Sequence, residues 1–163
     1  MKNKLLISVV FLVIAACIAW YFYNKYRVAP KVKFETIELE DLNGNKISVD
    51  SFHNKKLFIN FFATWCGPCI REIPSLVAAQ EILTNENFQF ILISDEPVEK
   101  LKNIQDQVSL PVYHSVKKLR DLNIATYPSS YLLNIKHEIV YKQTNEADWA
   151  SEAMIEKIRQ LSE

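Results

Sequence analysis

Glycine is almost missing from this chain of 163 residues, which has only Gly44 and Gly67. Turns that need positive φ must therefore fall to other residues, and each glycine is expected where little else would serve. Cysteine is sparse as well. Three residues make one pair, Cys66 and Cys69, and a remainder, Cys17, which excludes a disulfide-stapled scaffold and favours a reactive pair. Net charge is absent, with 19 basic and 19 acidic side chains, and no basic tract suggests nucleic acid or an anionic surface as partner. No repeat and no low-complexity tract occurs, and the length suffices for one domain of ordinary size.

What is present is Trp65-Cys66-Gly67-Pro68-Cys69, directly after the apolar run Leu57 to Ala63. That run is β-branched and aromatic enough for a buried strand, and the residues beyond read as a helix. The cysteines thus fall where a strand meets a helix N-terminus. Unpaired N–H groups and the positive end of the macrodipole stabilise a thiolate there, so Cys66 is the expected nucleophile and Cys69, one turn on, the resolving thiol. Gly67 lets the backbone turn closely between the sulfurs, and Pro68 suits a first helical turn, where its missing N–H would be unpaired anyway. Zinc would need more ligands than the pair, and Cys17, His53, His114 and His137 form no ligand-spaced set. The pair reads as redox chemistry with no metal, and the histidines as surface or strand residues.

Leu5 to Tyr23 is a continuous apolar stretch broken only by Ser8 and Cys17, with Lys2 and Lys4 before it and Trp20, Tyr21, Tyr23 and Tyr26 at its far end. Nineteen such residues just cross a hydrocarbon core, and the aromatics suit an interfacial belt. The expected division is a signal anchor over 1–28, a linker over 29–33 and a folded domain over 34–163. A cleaved signal is the rival, but bulky aromatics continue past Ala15-Ala16. Ile14-Ala15-Ala16-Cys17 also resembles a bacterial lipoprotein cleavage box, although no polar tether follows Cys17.

In order, Phe34 to Leu39 alternates as a strand and Asn43-Gly44 turns into Lys46 to Val49. Asp50 to Phe52 is a short helical turn, and Asn54 is placed for positive φ. After the cysteines a helix carries Ile73, Leu76, Val77 and Leu83 inward, with Pro74 inside it. Phe88 to Ser94 is a buried strand, Asp95 a cap for a helix over about 97–107, Pro111 to His114 a short strand, and 116–122 a helix. Ser130 to Ile135 and Ile139 to Thr144 form an antiparallel pair. A helix over 148–161 closes the chain with Ala150, Met154, Ile158 and Leu161 on one face. This order is an α/β sandwich with a mixed central sheet flanked by helices.

The segment Asn60-Phe61-Phe62-Ala63-Thr64-Trp65-Cys66-Gly67-Pro68-Cys69-Ile70-Arg71-Glu72-Ile73-Pro74 resembles the active site of the thioredoxin superfamily, specifically its TlpA/ResA-like membrane-anchored thiol-disulfide oxidoreductases. The resemblance runs from about Phe34 to the C-terminus. It implies a thioredoxin-like fold with an added N-terminal β-hairpin. Pro128 matches the cis-proline set against the disulfide, which makes Tyr127 a substrate-facing residue. Thr126, where thioredoxins often have glycine, and the bulk of Tyr127 depart from the usual pattern. Glu72 matches a glutamate linked to activity, expected near the thiols, or else it lies on a solvated helix surface. Asn60 stands where thioredoxin has a buried aspartate; an amide takes up no proton, so proton shuttling falls to Glu72 or water. Trp65 packs beside the pair and shields it, or is a core aromatic.

The resemblance further implies a disulfide-bearing protein substrate, apocytochromes c among the partners of related proteins, and a membrane electron donor that regenerates the dithiol. No cofactor is required, because the pair itself carries two electrons. A count of positive charges around the span puts the domain in the cytoplasm. The resemblance implies the extracytoplasmic side of a bacterial inner membrane, and long domains translocate largely regardless of charge. Two alternatives remain open: a thiol oxidase or isomerase, and a copper-binding thiol chaperone that adds a histidine such as His114 to the cysteines.

Overall fold

Residues 1–31 and 32–163 form two separate units. The computed structural model describes residues 11–18, 20, 32 and 34–162. In the first unit, residues 11–18 and 20 are helical, and Phe11, Leu12, Val13, Ile14, Ile18 and Trp20 are exposed. Cys17 is an exposed free thiol. Among the described residues, no helix is long and apolar enough to cross a membrane. The rest of the expected span, and the expected linker apart from Val32, lie outside the described residues.

The second unit runs β1 (Leu39–Glu40), β2 (Lys46–Ile47), β3 (Lys56–Phe61), α1 (Gly67–Ile82), β4 (Phe88–Ser94), α2 (Val98–Gln105), β5 (Val112–Ser115), β6 (Ser129–Leu133), β7 (Ile139–Thr144) and α3 (Glu152–Leu161). The strands make one sheet in the order β2-β1-β5-β4-β3-β6-β7. β3, β4 and β5 are parallel, and every other pairing is antiparallel. β3 lies between β4 and β6 and is buried on both faces, which is why it reads as an unbroken apolar run.

Side chains alternate along β3 with period two. Leu57, Ile59 and Phe61 join one core with Phe34, Ile91, Ile93, Tyr131 and Leu133. Phe58 and Phe62 join the other, with Cys66, Cys69, Ile73 and Leu76 of the α1 segment, Trp149, and Ile155 and Ile158 of α3. Asn60 shares the parity of Phe58, so the pleat aims it at this second core.

Asparagine takes glycine's place in the turns. Asn54, Asn87, Asn123 and Asn145 have φ of 63°, 64°, 64° and 84°, and His137 has 58°. Gly44, at φ 88°, closes the β1–β2 hairpin, where the Asp41 carboxylate accepts from the backbone N–H of Asn43 and Asn45 at 2.8 and 2.9 Å.

Several boundaries differ from the expectations. Phe34 to Thr36 is a 3-10 turn, not a strand. The three-residue spacing of Phe34 and Ile37 buries both in that geometry, with Phe34 5.3 Å from the Tyr131 ring. Val49–Phe52 is a second 3-10 turn, so β2 ends at Ile47. Asp95 does not cap α2, whose N-cap is Pro97. Its carboxylate instead accepts from the N–H of Leu119 at 3.0 Å, at the start of a four-residue 3-10 turn, Leu119–Leu122, that replaces the expected helix. α3 begins at Glu152 and buries Ile155 and Ile158. Ala150 precedes it and Leu161 is exposed, because the chain first drops Trp149 into the core.

Candidate active site

β3 ends at Phe61, and the next residues lead straight into α1. The Phe62 N–H still bonds Ile93 O of β4, at 3.0 Å, and Cys66 N–H closes a turn on Ala63 O at 3.0 Å. Cys66 is the N-cap of α1, with extended φ/ψ of −85° and 99°. Its Sγ accepts from the Cys69 N–H at 3.3 Å, so the first sulfur takes the place usually filled by a capping oxygen. Cys66 and Cys69 are joined as a disulfide with Cα atoms 5.3 Å apart. Cys66 keeps 6% exposure and Cys69 none, which leaves Cys66 the sulfur a partner can reach.

Pro68 stands in the first turn of α1, and Pro74 lies within the helix without ending it. Gly67 is where the expectation fails. Its φ lies outside the left-handed region, and a Cβ would meet only the flexible end of Arg71, Nη1 at 3.4 Å. The backbone does not demand glycine there, whereas it does at Gly44.

Trp65 is not a core aromatic. It is 70% exposed and stands edge-on to the Tyr127 ring, centroids 5.9 Å apart. That contact brings the cysteine loop against the segment before β6. The Tyr127–Pro128 bond is cis, in keeping with the resemblance, and Pro128 is buried. Burial first, and then Asp95 and Glu96, push the Tyr127 phenol up to about 12.

The core that holds Cys66, Cys69 and Trp149 also carries a buried polar group. Asn60 and Ser130 are register partners across β3 and β6. Asn60 Nδ2 donates to Ser130 Oγ at 2.8 Å and to Glu72 Oε1 at 2.7 Å. Asn60 is fully buried and Glu72 is 2% exposed. The other carboxylate oxygen, Oε2, accepts from Trp149 Nε1 at 3.1 Å and from the Ala147 N–H at 3.3 Å. Burial raises the pKa of Glu72 above the usual carboxylate range; the hydrogen bonds from Trp149, Asn60 and Ala147 oppose this, and Glu146 adds to it. Glu72 is therefore the buried group best suited to take up and release a proton in this half of the core. A solvated helix surface is excluded for it.

Two residues of this region escaped the sequence reading. Glu96, 8% exposed, accepts from both the Thr64 N–H and Thr64 Oγ1, the latter at 2.9 Å, and so pins the loop that precedes the cysteines. Asp95-Glu96 after a buried strand was the only available signal, and it read as a helix cap. Trp149 lay in what read as the first turn of an amphipathic helix, and nothing local pointed it at Glu72.

His53 is exposed, His137 Nε2 lies 3.3 Å from Phe52 O, and His114 Nδ1 is 3.9 Å from a Glu40 carboxylate oxygen. Among the described residues no three His, Cys, Asp or Glu side chains are grouped to hold a metal.

A family model for the AhpC/TSA family matches residues 30–142. The thiol-disulfide oxidoreductase ResA of Bacillus anthracis is 28% identical over 162 residues, covering 89% of this chain and 92% of that protein. The thioredoxin-like protein YneN of Bacillus subtilis is 26% identical over 148 residues, covering 83% and 86%. Among solved structures, a putative thiol:disulfide interchange protein DsbE from Chlorobium tepidum superposes with a TM-score of 0.68 at 17% identity, covering 79% of this chain and 95% of that one. By its family match, its relatives and its fold, the chain belongs to the AhpC/TSA family and is a TlpA/ResA-like disulfide oxidoreductase of the thioredoxin superfamily.

Proposed function

We propose that this protein is a membrane-tethered thiol-disulfide reductase of the bacterial cell envelope, cycling Cys66 and Cys69 between dithiol and disulfide. The observation that carries the reading is the disulfide at the N-terminus of α1, its more exposed sulfur serving as the helix cap. In the reduced form, the helix N-terminus stabilises the Cys66 thiolate. That thiolate attacks one sulfur of a partner disulfide. The partner's S–S bond breaks, a mixed disulfide forms, and the departing sulfur leaves as a thiolate that takes a proton from water. Cys69 then gives up its proton to Glu72 and attacks Cys66 Sγ, releasing the partner's second sulfur. The partner gains two electrons, and the protein ends as the Cys66–Cys69 disulfide. Tyr127 and Pro128 present the backbone against which the partner segment lies. Trp65, in contact with Tyr127, forms the apolar rim of that surface. Asn60 orients Glu72 without exchanging a proton itself.

The tether reading is supported by the exposed apolar side chains of Phe11 to Ile18 and Trp20, which in a water-facing helix would be unfavourable. With the domain on the extracytoplasmic side, a membrane donor of electrons regenerates the dithiol, and disulfide-bearing proteins such as apocytochromes c are the substrates. The test is the reduction potential of the pair in the full chain, equilibrated against glutathione or dithiothreitol buffers. A value near or below about −270 mV supports a reductase, and one near about −120 mV replaces it with an oxidase. Orientation is tested in intact cells with a thiol label that cannot cross the inner membrane, with outer-membrane entry controlled. Labelling of Cys66 is expected once the pair has been reduced, and its absence in the reduced protein refutes the extracytoplasmic placement.

A further inference from the structure

The loop between β7 and α3 is fastened to α1 at Glu146, Ala147 and Trp149. Glu146 pairs with Arg71 through two hydrogen bonds, at 2.6 and 3.1 Å. Ala147 N–H reaches Glu72 Oε2. Asp148 lines, with Arg71, Glu72, Ser75, Glu146 and Ala147, an open cavity of about 510 Å³. The Trp149 N–H donates to Ser75 Oγ at 3.2 Å, and that hydroxyl in turn donates to Glu72 O at 2.8 Å. The indole itself is fully buried, edge-on to Phe58 at 4.7 Å, and Phe58 stacks on Phe90 at 4.7 Å. Ring packing and a backbone hydrogen bond thus fix the indole from two sides. Its N–H is aimed not at a carbonyl but at a buried ionisable carboxylate.

We propose that Trp149 is a positioning residue for Glu72, its fixed indole N–H holding the carboxylate against Asn60 in the core that buries Cys66 and Cys69. The inference rests on the reading that Glu72 serves the cysteines as proton acceptor. Because hydrogen bonds to ionised groups favour the charged form, the indole keeps Glu72 able to ionise despite its burial. Other groups facing the carboxylate are few. Glu146 stands at the cavity mouth bound to Arg71, Asp148 lines the same cavity, and Asn60 and the Ala147 N–H are its neutral partners. Tyr127 and Tyr141 pack against the same core.

The experiment is a ¹H–¹⁵N titration of the tryptophan indoles of the full chain in detergent, from pH 4 to 10. The Trp149 signal is assigned by its loss in Trp149→Phe. The expected result is that this signal moves with one midpoint, above the ordinary glutamate value of about 4.3, and that the movement vanishes in Glu72→Gln. In Trp149→Phe, the acid limb of the pH profile for reduction of a small aromatic disulfide is expected to move up by about one pH unit, a roughly tenfold loss of rate on that limb. A Trp149 indole signal that does not titrate, or that titrates alike in Glu72→Gln, overturns the proposal. So does an unmoved acid limb. Should Trp149→Phe fail to fold, the signal is assigned instead by exclusion with Trp20→Phe and Trp65→Phe, and the comparison with Glu72→Gln decides. If the indole titrates as expected but the chain reduces no disulfide, the reductase reading falls while the coupling of Trp149 to Glu72 stands.

Discussion

Replacing Asn60 by aspartate would place a second carboxylate where Nδ2 now donates to Glu72 Oε1 at 2.7 Å. Both residues are buried. At an effective dielectric constant of about 20, two unit charges roughly 3 Å apart repel by about 5–6 kcal/mol, equivalent to about four pH units. The pair in Asn60→Asp therefore shares one proton through neutral pH, as closely spaced carboxylates do. The sign follows from proton counting. Wherever the native state holds a proton that the unfolded chain has released, stability falls as pH rises, by about 1.4 kcal/mol per unit. In the wild type this decline spans only the window from the unfolded glutamate value, about 4.3, to the raised native value of Glu72, and the contribution is level above that. In Asn60→Asp the decline continues through pH 6 to 8. At pH 5 the shared proton preserves the hydrogen bond and the variant loses little. Urea unfolding of the oxidised proteins, followed by far-ultraviolet circular dichroism at half-unit steps from pH 5 to 9, measures both curves. Curves that stay parallel over the whole range from pH 5 to 9 would refute the direct Asn60–Glu72 contact and the proton role built on it.

Three further outcomes are expected. Cys69→Ser accumulates a mixed disulfide through Cys66 when mixed with a disulfide-bearing protein, and Cys66→Ser does not; mass spectrometry under non-reducing conditions distinguishes them, and trapping by both variants alike would reverse or abolish the assigned roles. Glu96→Ala leaves the half-buried Thr64 N–H and hydroxyl without their acceptor, at a cost of about 0.5–1.5 kcal/mol for each bond lost, read as a lower urea midpoint with unchanged slope. Gly44→Ala forces alanine to φ 88° and costs about 1–3 kcal/mol, whereas Gly67→Ala, with ordinary φ and only Arg71 Nη1 nearby, changes stability by less than about 0.5 kcal/mol.

Local chemistry carried much of this protein in its sequence. The run Leu57 to Ala63 read as a buried strand, which the structure places at Lys56–Phe61, and the cysteine pair after it read as the start of a helix, because strand and helix periodicities are short-range properties. Positive φ at Asn54 was legible for the same reason. The family resemblance placed Asn60 at a buried position, whereas Glu72 read equally as a solvated helix surface until the fold buried it. What no local rule could supply was the partner of each. Trp149, 77 residues from Glu72, and Ser130, 70 residues from Asn60, meet them only because β6 pairs antiparallel with β3 and the loop before α3 folds back over α1. The same long-range contacts moved Asp95 from a helix cap to the Leu119 turn and set Trp65 on the surface against Tyr127. Sequence determined that a cysteine pair follows a buried strand; tertiary structure decided how deeply Glu72 is buried and what holds it there, since burial and hydrogen-bond partners come from chain segments far apart in sequence.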